Sequence, residues 1–153
     1  MIQPMVDEAF LKRLVTDARR DDVQRFVIGA VVRHGGGVWL LRRSVDDFMG
    51  GLLELPSGTV ESGESLDVAL IREVREETGL DVIRIETYLW HFDYEVRDGL
   101  KTRQFNFVVY VTSPEPISLV EYSEYVWALP KENLAVTDAV KGILERYHER
   151  YSV

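Results

Sequence analysis

The chain has 153 residues, of which 46% are hydrophobic and 29% charged, values that fit one globular domain with a real core. It contains no cysteine, which excludes disulfides, a thiolate nucleophile and cysteine-ligated zinc. A net charge of −8 argues against non-specific binding to duplex nucleic acid or to an anionic membrane. No apolar run reaches the roughly 18 residues of a membrane helix, and the N-terminus lacks a basic-then-apolar signal pattern. We therefore expect a cytoplasmic protein.

The first predicted element is a helix from Asp7 to about Arg20, with an apolar stripe along one side. Residues 1–22 are interpreted as an N-terminal accessory helix that packs on the domain or on the partner subunit of a homodimer. Residues 23–153 then form the main domain.

The rest of the chain alternates between strand and helix patterns. Strands are predicted at residues 26–32, 38–43, 52–55, 82–90, 102–112 and 125–129, with a corner at Ser57-Gly58. A final helix is predicted over residues 138–151. Several strands interleaved with a few helices indicate an α/β or α+β fold around a mixed sheet.

The most informative stretch is 58–80, a glycine loop followed by a helix and a glycine stop. Ser65 is a good N-cap, and Gly79 lies where a left-handed C-cap residue belongs. Glu73, Glu76 and Glu77 stand at i, i+3 and i+4, so a helix places three repelling carboxylates on one face. A bound cation would relieve that repulsion, and carboxylate oxygens suit Mg²⁺ or Mn²⁺.

These acids continue an apolar stripe and do not lie opposite to it. Leu66, Ala69 and Leu70 fall on the same helical face as Glu73 and Glu77. A solvated acidic flank would lie on the other side of the helix. The pattern therefore predicts that the carboxylates emerge from the core into a cleft.

The stretch 58–80 resembles a complete Nudix box. Gly58, Glu64 and the run from Arg72 to Leu80 (REVREETGL) fill every fixed position of that motif, over 23 of the 153 residues. The resemblance implies an α/β/α sandwich around a mixed sheet. It also implies hydrolysis of a nucleoside diphosphate linked to another group.

The resemblance further implies the roles of individual residues. Glu73, Glu76 and Glu77 resemble the metal ligands, joined by the backbone carbonyl of Ser57. Arg72 resembles the residue that orients the catalytic carboxylates. The structural positions of the motif are Gly58, Glu64 and Gly79. Ser57 departs from the Gly-Gly that members commonly have at this corner, which a carbonyl ligand tolerates.

A carboxylate must also take a proton from the attacking water. Glu73, Glu76 and Glu77 are candidates for this base, and the family also uses a glutamate from a loop outside the box. Glu121 and Glu124 fit that second description, or they are simply solvated acids.

The sequence says less about the substrate. Arg42 and Arg43 close a strand and are either phosphate contacts or solvated charges. Gln104 and Asn106 share one face of a strand, where, as exposed residues, they can read a base edge or do nothing. The small size and the arginine pair favour a nucleoside triphosphate, including oxidised ones, as substrate. The alternatives are ADP-ribose or another nucleotide sugar, and a non-catalytic nucleotide sensor.

Overall fold

The computed structural model describes residues 6–43, 51–112, 122–129 and 132–151. In chain order the elements are α1 (Glu8–Arg20), β1 (Arg25–His34), β2 (Gly37–Arg43), β3 (Leu53–Glu54), β4 (Ser57–Thr59), α2 (Leu66–Thr78), β5 (Val82–Glu95), β6 (Lys101–Val111), β7 (Tyr122–Ala128) and α3 (Asp138–Tyr151). None of the described helices is both long and apolar enough to cross a membrane.

The strands form one mixed sheet that divides near its middle. The path β3-β2-β1-β6-β5 is joined by β4, which pairs with β1, and by β7, which pairs with β2. Strands β1 and β2 pair only at their hairpin end, where Val32 lies opposite Trp39. Further from the hairpin, β1 pairs with β4 while β2 pairs with β3. One branch of the sheet ends in β4 beside β1, and the other ends in β3 beside β2. The short segment between β3 and β4 connects the two branches.

Helices cover both faces of the sheet. Alternate strand residues such as Ile28 and Phe105 pack in one core with α1 and α2. The intervening residues, such as Val31 and Val108, pack in a second core with α3. Two cores on opposite faces confirm the predicted α/β/α sandwich with a preceding N-terminal helix. The division of the chain at residue 22 stays a prediction.

The helices lie where the periodicity predicts them, and the strands differ more. The predicted corner at Ser57-Gly58 is instead part of strand β4, with Gly58 opposite Ile28. The short strand β3 keeps only two of its four predicted residues. Strand β5 continues to Glu95, which agrees with the alternative that residues 91–96 prolong the strand predicted at 82–90. Local pattern does not reveal which distant strand is available as a pairing partner.

Candidate active site

Helix α2 is bounded by the residues that the sequence indicates. Ser65 has the extended backbone of an N-cap, although its side chain makes no capping hydrogen bond. Gly79 ends the helix with a φ of 76°, in the left-handed region where glycine is favoured. Thr78 also stabilises the end of the helix, because its hydroxyl donates to the carbonyl of Val74 and accepts from the N–H of Leu80. The position of the last helical turn is thus well determined.

Arg72 is the centre of the polar network on α2. Its Nε and Nη2 donate to the two oxygens of Glu64 at 2.7 and 2.8 Å, a bidentate ion pair. Nη1 donates to Glu73 at 2.7 Å and to Glu76 at 3.2 Å. Nη2 also reaches the carbonyl of Thr59 at the end of β4. One guanidinium therefore ties the preceding loop, strand β4 and two of the three carboxylates together.

Glu64 holds Arg72 in place. The hydrogen bonds from Arg72, above all, lower the pKa of the Glu64 carboxyl from 4.5 to about 2. The same contact raises the pKa of Arg72. Glu64 also accepts a hydrogen bond from the N–H of Glu61 at 2.9 Å, which orders the loop before the helix. The pair is therefore fully charged at neutral pH.

Glu73 lies against the backbone of Gly58. A Cβ atom on Gly58 would lie 2.0 to 2.3 Å from the carboxylate atoms of Glu73, closer than any real contact. Burial is the largest influence on the Glu73 carboxyl and raises its pKa, while Arg72 opposes that shift. The motif glycine is thus required because a carboxylate occupies the space of its missing side chain.

Glu77 joins the end of α2 to two strands. Its Oε2 accepts a hydrogen bond of 3.0 Å from the N–H of Ser57 in β4. Its backbone carbonyl accepts a 3.0 Å hydrogen bond from the hydroxyl of Tyr125 in β7. Tyr125 has no signature in the sequence, because a tyrosine in a strand carries no signal of a contact with a helix residue 48 positions away.

The acidic residues provide the chemistry of a cation site, but their side chains are turned toward other partners. No three acidic or histidine side chains within the described ranges converge closely enough to hold a metal ion. Glu73 and Glu76 face Arg72, and Glu77 faces the N–H of Ser57. The three carboxylates still arise from one and a half turns of one helix, and hard oxygens of this kind fit Mg²⁺ or Mn²⁺. The residues therefore fit a divalent cation once the side chains rotate.

The arginines at the end of β2 lie in ion pairs. Arg42 donates from Nε to Glu124 on β7 and reaches the carbonyl of Gly51 at 3.2 Å. Arg43 donates to Glu54 at 2.6 Å. Glu124 is thus held by an arginine, with its side chain 53% exposed. Glu121, the other predicted loop base, lies outside the described residues.

The expectation that Gln104 and Asn106 are exposed is wrong. They are 7% and 0% exposed, respectively. Strand β6 is central, paired in parallel with β1 on one side and antiparallel with β5 on the other. The two amides bond to each other, with Gln104 Nε2 donating to Asn106 Oδ1 at 2.8 Å. Alternation of polar and apolar residues indicates which residues share a face of the strand. It does not indicate whether the polar face is exposed to solvent or covered by other elements.

The chain is similar to known proteins over most of its length. The NUDIX domain family model matches residues 23–145. Nucleoside triphosphatase NudI of Escherichia coli and of Shigella flexneri is 29% identical over 120 residues, covering 71% of this chain and 84% of the relative.

Solved structures show the same fold. The Escherichia coli ORF135 protein aligns with a TM-score of 0.72 and 25% identity, covering 86% of this chain and 94% of that protein. The MutT protein of Methanosarcina mazei aligns with a TM-score of 0.70 and 26% identity, covering 84% and 96% of the two chains. The MutT NUDIX hydrolase of Burkholderia pseudomallei aligns with a TM-score of 0.69 and 25% identity, covering 80% of this chain and 96% of that protein. Together with the complete motif around Arg72, these matches show that the chain belongs to the Nudix hydrolase family.

Proposed function

We propose that this protein uses a divalent cation to hydrolyse a nucleoside triphosphate to the monophosphate and pyrophosphate. The relatives named nucleoside triphosphatase and MutT support this class of substrate. The observation that carries the proposal is the Arg72 network, which holds Glu73 and Glu76 beside the loop while Glu77 contacts β4. A solvated acidic surface would need no such arrangement.

Glu73, Glu76 and Glu77, with the backbone carbonyl of Ser57, would hold Mg²⁺ or Mn²⁺. When bound, such a cation neutralises phosphate charge and lowers the pKa of a coordinated water. Glu76 is the most accessible of the helix residues that Arg72 contacts, with a side chain 58% exposed against 13% for Glu73. It would therefore be the first to turn from Arg72 toward a ligand.

The protein residues have two tasks in the reaction. One carboxylate takes a proton from water as the new oxygen–phosphorus bond forms and the bridging oxygen–phosphorus bond breaks. Glu73, Glu76 and Glu77 are the helix candidates for this base. Of the two glutamates expected in a loop, Glu124 lies instead on strand β7, opposite Arg42, and Glu121 lies outside the described residues. Both stay candidates from outside the motif. Arg72 positions the helix carboxylates, because its fork spans Glu64, Glu73 and Glu76 at once.

Arg42 and Arg43 are proposed to contact phosphate oxygens. Each would exchange its present carboxylate partner for the substrate, as a guanidinium binds both kinds of anion bidentately. Their positions support this, because β2 ends beside β3, and β3 precedes β4 by only two residues. The predicted cytoplasmic location and homodimer stay predictions.

The proposal is tested by product analysis. With a nucleoside triphosphate and Mg²⁺, the wild type should release the monophosphate and pyrophosphate, measured by anion-exchange chromatography. Glu76→Gln and Glu77→Gln should each lower turnover by on the order of 10²-fold or more, with unchanged circular dichroism. Glu145→Gln, on the exposed side of α3, is the matched control and should keep full activity.

Two results would contradict the proposal. Full activity in both Glu76→Gln and Glu77→Gln would show that these carboxylates take no part in the reaction. Nucleotide binding by the wild type without any product, in Mg²⁺ and in Mn²⁺, would favour the non-catalytic sensor.

A further inference from the structure

The buried amide pair lies in the same row of residues as the proposed metal corner. In strand register, Asn106 of β6 lies beside Gly29 of β1, and Gly29 lies beside Ser57 of β4. Adjacent strands are about 4.8 Å apart, so the backbones of Asn106 and Ser57 are separated by about 10 Å. The N–H of Ser57 binds Glu77. The amide pair is thus two strands away from the proposed catalytic carboxylates.

Asn106 has one orientation that satisfies its neighbours. Its Nδ2 donates to two backbone carbonyls, those of Trp90 and Gln104, at 3.2 and 3.3 Å. Carbonyls only accept, so the nitrogen must lie on that side and Oδ1 on the other. Gln104 must then present Nε2 to Asn106. The direction of the whole network follows from the two carbonyls.

Gly29 provides the space for this network. A Cβ atom at Gly29 would lie 2.3 Å from Asn106 Oδ1 and 2.5 Å from Gln104 Nε2. The two amides therefore fill the volume that any other residue at position 29 would occupy, on the face of the sheet opposite α2. The pair is built into the strand pairing and is not a chance surface contact.

Gln104 retains an unused acceptor. Across the described ranges, its Oε1 has no hydrogen-bond partner, because the one side-chain bond of Gln104 is made by Nε2. The oxygen also reaches solvent: among those residues, Glu86 Oε2 is the single unpartnered side-chain oxygen or nitrogen that is fully enclosed. A side chain that is more than nine-tenths buried thus keeps one unpaired acceptor in contact with solvent.

Two aromatic residues lie on the strand that pairs with Gln104. Phe92 on β5 lies directly beside Gln104, and its ring centroid is 6.1 Å from that of Tyr94. Tyr94 is 38% exposed. Two aromatic rings beside an amide present both a stacking surface and a hydrogen-bonding edge, the combination that recognises a nucleobase.

We propose that Gln104 reads the nucleobase of the substrate and that Asn106 is its positioning residue. Gln104 Oε1 accepts a hydrogen bond from an amine or imide N–H of the base, which lies against Phe92 and Tyr94. Asn106 fixes Gln104 through the Nε2–Oδ1 bond. The inference rests on the proposed function, because it takes the substrate to be a nucleotide with its phosphates at the α2 carboxylates.

Calorimetric titration tests the base contact separately from catalysis. The four nucleoside monophosphates and ribose 5-phosphate are titrated, with Mg²⁺ present, into the wild type, Gln104→Met and Asn106→Ala. The wild type should bind at least one monophosphate more tightly than ribose 5-phosphate. Gln104→Met should lower the affinity for that monophosphate about tenfold and leave the affinity for ribose 5-phosphate unchanged. Asn106→Ala should reduce the same preference in part.

Gln24→Met is the matched control, since Gln24 lies on the exposed turn after α1 and its side chain accepts a hydrogen bond from Lys101 N–H. It should bind every ligand as the wild type does. If Gln104→Met lowered the affinities for ribose 5-phosphate and for the monophosphates equally, the inference would be overturned. It would also be overturned if Gln104→Met kept the wild-type preference for the monophosphate over ribose 5-phosphate. If Gln104→Met does not fold, the wild type is titrated with the preferred monophosphate carrying a methylated donor N–H. Undiminished affinity for that analogue would equally overturn the inference.

The two proposals fail in different ways. A base preference that depends on Gln104, without any product formation, supports the base contact and contradicts the hydrolase. Product formation with no preference for a nucleotide over ribose 5-phosphate contradicts only the base contact.

Discussion

At the residue scale, Arg72 connects more polar groups of helix α2 and its loop than its charge alone would require. Its side chain is 22% exposed and contacts Glu64, Glu73, Glu76 and the carbonyl of Thr59. The planar guanidinium supplies donors in several fixed directions, whereas a lysine ammonium is a point charge. Its role in the motif is therefore geometric as well as electrostatic.

Replacing Arg72 with lysine should consequently lower both stability and turnover. Arg72→Lys keeps the charge but cannot span three carboxylates, and we expect a loss of about 1–3 kcal/mol in the free energy of unfolding. Turnover should fall because Glu73 and Glu76 lose their common anchor. Urea unfolding and steady-state kinetics measure the two effects.

Arg75→Lys provides the comparison on the same helix. Arg75 is 71% exposed in its side chain and pairs with Asp81 at 3.0 Å, so the free energy of unfolding should change little. If Arg72→Lys and Arg75→Lys had the same stability and activity, the geometric role of Arg72 would be refuted.

At the scale of elements, the contact between β4 and α2 determines where the carboxylates lie. Gly58 on β4 faces Glu73 on α2, and no atom fits between them. Gly58→Ala should therefore displace Glu73 or separate the helix from the strand. We expect a large loss of kcat and a destabilisation of about 1–3 kcal/mol, measured by kinetics and urea unfolding.

Gly142→Ala is the control for that substitution. Gly142 lies on the exposed side of α3, and within the described ranges a Cβ there would meet no atom within 4 Å apart from its own helix backbone. It should leave turnover unchanged and stabilise the helix by about 0.5–1 kcal/mol. A fully active Gly58→Ala would show that the close approach to Glu73 has no catalytic consequence.

The elements also show what the sequence can predict. Helices α2 and α3 agree with their periodicity and end signals, because those signals are local. The parallel pairing of β1 with β6 joins residues more than 70 positions apart, and no local pattern encodes it. The burial of Gln104 and the contact of Tyr125 with α2 both depend on such distant pairing, which is why they were missed. The motif residues were found because their spacing lies within one helix and its loop.

At the scale of the molecule, a second arginine joins the accessory helix to the sheet. Arg103 on β6 is 7% exposed in its side chain and donates to both oxygens of Asp93 on β5, at 2.7 and 2.9 Å. It also reaches Asp21, which follows α1, at 3.2 Å. Loss of a carboxylate partner would leave a largely buried charge less well compensated. This cluster therefore couples the docking of α1 to the integrity of the β5–β6 edge.

The cluster predicts how stability depends on pH. The hydrogen bond from Arg103, above all, lowers the pKa of Asp93 below its ordinary value of 3.8. A carboxyl with a lowered pKa in the folded state stabilises the protein above the pKa of the unfolded state, and that contribution is lost as the pH falls through the folded value. Asp93→Asn should therefore be less stable than the wild type near neutral pH. The difference should shrink as the pH falls below 3.8 and disappear once the pH is below the lowered pKa of Asp93 in the folded state.

Urea unfolding from about pH 7 to about pH 2 measures that difference directly. Asp98→Asn is the matched control, because its amide oxygen can still accept the hydrogen bond from Leu100 N–H in the exposed turn. The control should unfold like the wild type at every pH. A wild-type advantage over Asp93→Asn that stays constant down to the lowest pH would mean that Asp93 stabilises the fold through shape alone. In that case α1 would be held to the sheet by its apolar contacts, through Leu11 and Ala18, and not by the ion pair.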